Sequence, residues 1–188
     1  MSKGAKNGIL LWGSYGTGKT TLANLLPRAI SAAKTKNGVS SIFTFVNYGK
    51  VNLFKGSALS TNNFNLTTAN QCGHHYWVLD EADDYTPSEQ SALKILMDRP
   101  NTLYILTTNN LAKINGGIKD RSIVVEMNAA PAAAWIPFAN KVLSAEGIPS
   151  VDEQILHTWL ESYGGSARGI VELLQELIID INSQEAAS

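Results

Sequence analysis

The sequence has little of several features that would place it in a specialised class. Its only cysteine, Cys72, excludes an internal disulfide framework and favours a reducing compartment. No apolar run approaches the roughly 20 residues of a membrane span, and residues 1–13 lack the long apolar core of a signal peptide. Charged residues make up 16% of the chain and hydrophobic residues 44%, which is typical of a folded core with few surface charges. We therefore expect a folded cytoplasmic protein that does not associate with a membrane.

The charges that are present are unevenly distributed along the 188 residues. Residues 1–127 contain 13 Lys and Arg against 8 Asp and Glu, whereas residues 128–188 contain 2 against 8. The sign changes at the Ala- and Pro-rich stretch MNAAPAAAWIP. Such a shift in composition is typical of a domain boundary. We predict one domain over residues 1–127 and a second over residues 128–188.

The hydrophobic periodicity differs between these two parts. In the first part, short apolar runs of the kind found in buried parallel strands alternate with helical patterns at 19–31 and 87–97. The predicted strands are 8–12, 41–46, 76–79, 103–106 and 122–126. This alternation predicts an α/β three-layer sandwich. The second part contains three predicted helices and no strand, and the last helix carries an apolar stripe from Ile170 to Ile181.

The stretch GSYGTGKT follows the first predicted strand and precedes the first predicted helix. It fits the phosphate-binding pattern G-x-x-x-x-G-K-[ST], in which backbone N–H groups and a helix N-terminus surround an anion. Lys19 would reach the β- and γ-phosphates, and Thr20 would bind Mg²⁺. The alternative is a glycine-rich turn that contains a lysine by chance. The predicted nucleotide-binding residues of this loop are Gly13, Ser14, Tyr15, Gly16, Thr17, Gly18, Lys19, Thr20 and Thr21.

Two carboxylates, Asp80 and Glu81, directly follow the third apolar run. Open α/β sheets bind ligands at the carboxyl ends of their strands. We predict that Asp80 holds Mg²⁺ and that Glu81 activates the attacking water as a general base. The alternative, acidic residues at the start of a helix, accounts well for Asp83 and Asp84.

Three further residues are candidates for contacts with phosphate. Asn109, or its neighbour Thr108, lies in the polar tip of the fourth run and could contact the γ-phosphate or the water, unless Asn109 only forms a turn. Arg121 precedes the fifth run and could pair with phosphate, the alternative being a surface salt bridge with Asp120. Arg168 follows a predicted N-cap at Ser166, where a cation opposes the helix dipole. This unfavourable position suggests a functional contact, although a solvated arginine is the alternative.

The motifs GSYGTGKT, VLDEADD, LTTNN, KDRS and GGSARGIVELL, in this order, resemble those of AAA+ ATPases, most closely the ATPase core and lid of clamp-loader subunits. The resemblance implies a P-loop NTPase fold with a parallel five-stranded sheet in the order 5-1-4-3-2 and a small three-helix lid. ATP and Mg²⁺ are the implied cofactors. The resemblance also implies that Asn109 is sensor 1, that Arg121 reaches the ATP of a neighbouring subunit, and that Arg168 is sensor 2.

The partners follow from the same resemblance. A homo-oligomeric ring that depends on ATP is implied, and the polar segment 47–71 matches a region that faces the central channel of AAA+ rings. Lys50 and Lys55 in that segment could contact a nucleic-acid backbone, unless it is an ordinary surface excursion. Three functions stay open. They are an oligomeric ATPase acting on DNA or a replication or recombination protein, an ATP-gated binding switch with little turnover, and a small-molecule P-loop kinase. The kinase is disfavoured by Glu81 and by the acidic second domain.

Overall fold

A computed structural model describes residues 6–34, 46–49, 75–149 and 151–185. Five parallel strands form one sheet in the order β2-β3-β4-β1-β5, which confirms the implied order 5-1-4-3-2. Two strands, β1 and β5, have the bounds that the sequence predicts. The second predicted strand overlaps the observed β2 at Val46 only, and its residues 41–45 lie outside the described part of the chain. The strands are β1 Gly8–Trp12, β2 Val46–Gly49, β3 His75–Leu79, β4 Thr102–Thr108 and β5 Ser122–Glu126.

The register of the sheet aligns apolar residues of three neighbouring strands. Leu106 of β4 is opposite Leu10 of β1 on one side and opposite Leu79 of β3 on the other. All three leucines are fully buried and belong to one hydrophobic core. Successive residues of a strand point to opposite faces of the sheet. The register of the strands therefore also fixes which residues become neighbours directly after these leucines.

Helices of the first part pack on the sheet. Helix α1 (Lys19–Lys34) contacts β1, β3 and β4. Helix α2 (Pro87–Leu96) and the short α3 (Gly116–Asp120) contribute to the core that contains Leu10. Parallel strands with flanking helices confirm the predicted α/β class of P-loop NTPase. Two 3₁₀ turns, Ala82–Asp84 and Leu111–Lys113, and helix α3 were not predicted from the sequence.

Over its described residues, 128–149 and 151–185, the second part contains three helices, as predicted. They are α4 (Ala132–Ala145), α5 (Glu153–Ser162) and α6 (Ala167–Glu185), and they share a hydrophobic core of their own. The predicted stripe of α6 contributes to that core through Ile170, Leu173, Leu174, Ile178 and Ile181.

The junction between α5 and α6 follows the turn chemistry of its residues. Gly164 and Gly165 have positive φ angles of 56° and 74°, which end α5. Ser166 then caps α6, because its Oγ accepts a hydrogen bond from the N–H of Gly169 at 3.3 Å.

Contacts divide the chain into two compact units. Lys19–Glu126 and the described residues up to Gly13 form one unit, while Ser14–Gly18 belongs with the residues from Met127 onward. The tip of the phosphate loop is therefore part of the helical unit. None of the described helices is long and apolar enough to cross a membrane.

Candidate active site

The glycine-rich loop leads from the carboxyl end of β1 to the first residue of α1. Gly16 and Gly18 have φ angles of 74° and 85°, in the left-handed region that glycine tolerates. Within the loop, Thr17 Oγ1 donates a hydrogen bond to the carbonyl of Ser14 at 2.9 Å. The two glycines thus adopt angles that other residues rarely take, and the loop residue Tyr15 is largely exposed.

Lys19 is buried at the start of α1, with 7% of its surface exposed. Its Nζ donates a hydrogen bond to the carbonyl of Gly13 at 3.0 Å. Burial lowers the pKa of Lys19, while the charges of Asp80 and Asp83 act in the opposite direction. The ammonium group of Lys19 is thus buried in the electrostatic field of two carboxylates, and its contact with phosphate stays a prediction.

The structure brings together the two predicted metal ligands, Thr20 and Asp80. Thr20 Oγ1 lies 3.0 and 3.1 Å from the two carboxylate oxygens of Asp80 and donates to them. The other predicted loop residue on α1, Thr21, is exposed. Asp80 follows the last residue of β3, so its carboxylate lies at the sheet edge where the phosphate loop begins.

The donor set at this edge fits Mg²⁺ bound together with a nucleotide. Among the residues that the structure describes, no group of three or more His, Cys, Asp and Glu could hold a metal ion. One carboxylate and one hydroxyl, from Asp80 and Thr20, remain as the predicted ligands. Magnesium commonly binds to one or two carboxylates, keeps several waters and takes its other oxygens from substrate phosphates.

Glu81 adopts an unusual backbone conformation. Its φ and ψ of 52° and 51° lie in the left-handed region, which is uncommon for residues other than glycine. Its N–H donates to Thr107 Oγ1 at 3.0 Å, and Glu81 is exposed. The same Thr107 hydroxyl donates a hydrogen bond to Asp80 Oδ1.

The polar tip of β4 is tied to the segment after β3. Thr108 Oγ1 donates to Asp83 Oδ1 at 2.8 Å, and the N–H of Asn109 lies 3.3 Å from the same oxygen. Thr107 and Thr108 are both buried, at 2% and 0% exposure, so their hydroxyl groups need such partners. Asp83 therefore has a specific partner in β4, in addition to its favourable place at the start of a turn. The sequence alone gives no signal for a role of Thr107 or for the pairing of Asp83 with β4.

Arg121 is the C-cap of α3 and directly precedes β5. Its guanidinium group forms a bidentate ion pair with Asp98, with N–O distances of 2.7 and 3.0 Å, and also donates to the carbonyl of Gly117 at 3.1 Å. This pair lowers the pKa of Asp98 and raises that of Arg121. The alternative predicted from the sequence, an ion pair between Arg121 and Asp120, was wrong. The packing of α2 and α3 brings Asp98 to the guanidinium group instead.

The register separates Arg121 from the phosphate loop of its own chain. Gly8 is opposite Ser122, the residue after Arg121. Gly13 directly follows β1 and comes five residues after Gly8, which corresponds to about 17 Å at the rise of a strand. Lys19, Thr20 and Asp80 are thus grouped at one edge of the sheet, and Arg121 lies at the opposite edge.

Arg168 lies in the first turn of α6, beside the tip of the phosphate loop. The N–H of Ala167 donates to the carbonyl of Gly16 at 2.9 Å. A Cβ atom placed on Gly16 would lie 3.8 Å from the Cβ of Arg168. Both elements belong to the helical unit. The last predicted contact residues, Lys50 and Lys55, lie outside the described part of the chain.

A parallel sheet, a glycine loop that opens a helix with Lys and Thr, and an acidic strand end define a P-loop nucleotide-binding protein. The sequence model of the ATPase family associated with various cellular activities (AAA) matches residues 9–127. The chain belongs to this family, and nucleotide binding follows from that membership. No curated protein matches the sequence.

Proposed function

We propose that the protein is an oligomeric AAA+ ATPase that hydrolyses Mg·ATP at the interfaces between its subunits. In this proposal it acts on DNA or on a protein of DNA replication or recombination, in the manner of a clamp loader. The division into a nucleotide-binding domain, residues 1–127, and a helical lid, residues 128–188, is part of the same proposal.

The observation that carries the proposal is the contact between Thr20 and Asp80 next to a buried Lys19. Thr20 can donate its proton to Asp80 while a lone pair of its oxygen faces a metal ion. The lysine then faces the β- and γ-phosphates of a nucleotide held by Gly13 to Thr21. A turn with an accidental lysine would have no reason to bring these three groups together.

Hydrolysis needs a base in addition to this binding site. In the proposed reaction the water oxygen attacks the γ-phosphorus and the bond to the β–γ bridging oxygen breaks, which releases ADP and phosphate. Glu81 accepts the proton of that water. Asn109 orients the water or the γ-phosphate, and Arg168 contacts the phosphates when the lid closes. Glu81 is supported by its exposed position next to Asp80, and Asn109 by the tether of its backbone to Asp83.

We place Arg121 in the active site of the neighbouring subunit. Gly13 lies about 17 Å along the sheet from the level of Ser122, the residue after Arg121. This separation exceeds the reach of an arginine side chain, so we expect no contact between Arg121 and the nucleotide of its own subunit. A guanidinium group supplied by a second subunit stabilises the charge that develops during phosphoryl transfer. To reach a neighbouring γ-phosphate, Arg121 has to exchange Asp98 for that phosphate.

The DNA partner rests on charge and on the resemblance to clamp-loader subunits. Residues 1–127 carry a net charge of +5 and residues 128–188 a net charge of −6. A basic domain attracts the phosphate backbone without sequence preference, and Lys50 and Lys55 are the proposed contacts.

The test is ATP hydrolysis by the purified protein with Mg²⁺, measured without DNA and with single- or double-stranded DNA. We expect hydrolysis in the wild type that DNA stimulates, and loss of ATP binding in Lys19→Ala. DNA binding should weaken steeply with salt, because phosphate contacts release counterions.

Each alternative gives a different result in the same assay. Tight ATP binding with no turnover under any condition would favour the binding switch. Phosphate transfer to a small molecule would favour the kinase. No DNA binding at low salt in the presence of ATP would contradict the DNA part of the proposal and leave a protein partner.

A further inference from the structure

One buried hydroxyl group connects both acidic residues of the candidate site. Thr107 Oγ1 donates a hydrogen bond to Asp80 Oδ1 and accepts one from the N–H of Glu81 at 3.0 Å. Thr107 is 2% exposed. We infer that Thr107 is a positioning residue for hydrolysis, which holds the metal ligand and the general base in one arrangement. This inference rests on the proposed ATPase function.

The chemistry of a hydroxyl group suits these two contacts. It has one proton to donate and two lone pairs that can accept. An ionised Asp80 can only accept and a backbone N–H can only donate, so a single hydroxyl satisfies both at once. An ionised carboxylate can only accept and an ammonium group can only donate, so neither could make both bonds, and a valine of similar shape would make neither.

The sheet register explains why Thr107 is the residue of β4 that meets Asp80. Leu79, the last residue of β3, is opposite Leu106 of β4. The residue after Leu79 is Asp80 and the residue after Leu106 is Thr107, so these two residues are also neighbours. The two strands are hydrogen-bonded along their whole shared length, which fixes the position of the Thr107 side chain more firmly than a loop would.

The bond to Glu81 stabilises an unfavourable backbone conformation. Glu81 has a φ of 52° and is the N-cap of the 3₁₀ turn Ala82–Asp84. Residues other than glycine adopt such angles only where their surroundings hold them. Without the acceptor on Thr107, the N–H of Glu81 would lose its partner and the chain after Asp80 could relax to an extended conformation. The direction of the Glu81 side chain would then no longer be fixed.

The same turn also bonds to the carboxyl end of β4. It contains Asp83, whose Oδ1 is bonded by Thr108 Oγ1 and by the N–H of Asn109. Two sets of hydrogen bonds thus join β4 to the segment after β3, one through Thr107 and one through Asp83. Loss of the Thr107 hydroxyl removes the first set and leaves the second. We expect hydrolysis to be affected more than nucleotide binding, because none of the hydrogen bonds described for Thr107 involves the phosphate loop.

The experiment compares Thr107→Val with Thr107→Ser and with Thr102→Val. Thr102 is a matched control, since it is a buried threonine at the start of the same strand and its hydroxyl bonds only to the carbonyl of Pro100 at 3.3 Å among the described contacts. Three quantities are measured for each protein: kcat and KM for Mg·ATP, the Kd of a fluorescent ATP analogue with Mg²⁺ and with EDTA, and the melting temperature. The ¹⁵N-resolved amide signal of Glu81 reports its hydrogen bond without any turnover.

We expect Thr107→Val to lower kcat or Mg²⁺ affinity by about 10- to 100-fold, as loss of a residue behind a metal ligand commonly does. The Kd in EDTA should stay close to the wild-type value. Thr107→Ser should restore most of kcat, and Thr102→Val should match the wild type. The amide signal of Glu81 should shift in Thr107→Val alone.

The inference would be overturned if Thr107→Val had the same kcat, the same Mg²⁺ dependence and the same Glu81 amide signal as the wild type. Equal losses of activity in Thr107→Val and Thr102→Val would overturn it too, because the effect would then come from stability. If Thr107→Val does not fold, Thr107→Ala removes the hydroxyl without adding bulk and is judged by the same criteria. If the wild type binds ATP but does not hydrolyse it, the proposed function fails. The Mg²⁺ affinity and the amide signal of Glu81 then still test whether Thr107 positions Asp80 and Glu81.

Discussion

Gly16 and Gly18 lie in the same loop and have similar backbone angles, but their surroundings differ. A Cβ atom on Gly16 would lie 2.2 Å from the Oγ of Ser166, the N-cap of α6. A Cβ atom on Gly18 would have no atom within 4 Å. Alanine at either position has to adopt a positive φ, which costs about 1–2 kcal/mol. Only alanine at position 16 also collides with Ser166.

The size of the extra effect follows from the cap. To relieve the collision, Ser166 Oγ has to leave the N–H of Gly169, and loss of an N-cap side chain typically costs about 1 kcal/mol. Gly16→Ala should therefore destabilise the protein by about 1 kcal/mol more than Gly18→Ala. For a chain of this length the difference corresponds to a melting temperature about 2–4 °C lower.

Thermal unfolding of both variants measures this difference, and a second substitution tests its cause. Ser166→Gly removes the colliding oxygen, and glycine at an N-cap costs only a few tenths of a kcal/mol relative to serine. Adding Ser166→Gly to Gly16→Ala should therefore recover most of the difference. Equal melting temperatures for the two alanine variants, or no recovery in the double variant, would refute the assigned contact between the loop and α6.

Three further predictions concern the base, the subunit interface and a helix cap. Glu81→Gln should keep Mg·ATP binding and lower turnover by orders of magnitude, and wild-type turnover would disprove the role of the base. Arg121→Ala and Lys19→Ala should each be inactive but partly active when mixed, because some interfaces then combine an intact Arg121 with an intact Lys19; no recovery at any ratio, with a monomer by light scattering in ATP, would exclude a shared site. Thr86→Ala breaks a capping box in which Thr86 Oγ1 accepts from the N–H of Glu89 and the Glu89 carboxylate accepts from the N–H of Thr86 at 2.8 Å. It should cost about 1 kcal/mol, and an unchanged melting temperature, compared with exposed Ser88→Ala as control, would contradict this.

The strands and loops that the sequence predicts best are those with a complete local signal. The run from Gly8 to Trp12 is apolar and ends at glycine, and the observed β1 has the same bounds. The helix after it begins at Lys19, as the phosphate-loop pattern requires. Helix α3 was missed, because the five residues Gly116–Asp120 are too few for a periodic pattern and begin with two glycines.

The sequence predicted those residues of the candidate site that belong to a recognisable motif. Lys19, Thr20 and Asp80 were predicted from motifs, and the structure places them in contact or close together. The sequence contains no signal for Thr107, since threonine is a common residue in strands. Only its register with Asp80 reveals the shared hydrogen bond, and a residue pair 27 positions apart in sequence cannot be aligned by local periodicity.

The sequence by itself determined the glycine loop, the acidic strand end and the three C-terminal helices, because these depend on backbone preferences and on the spacing of apolar residues within one segment. Tertiary structure alone decided which polar groups from distant parts of the sequence meet. Arg121 pairs with Asp98 across 23 residues and not with the adjacent Asp120, because α2 and α3 pack on the same core. Thr107 bonds Asp80 because β3 and β4 are neighbours in the sheet, and Arg121 lies far from Gly13 because parallel strands place their two ends at opposite edges. Hydrogen bonds and ion pairs act over a few ångströms, so they are fixed only after packing has set the distances between segments.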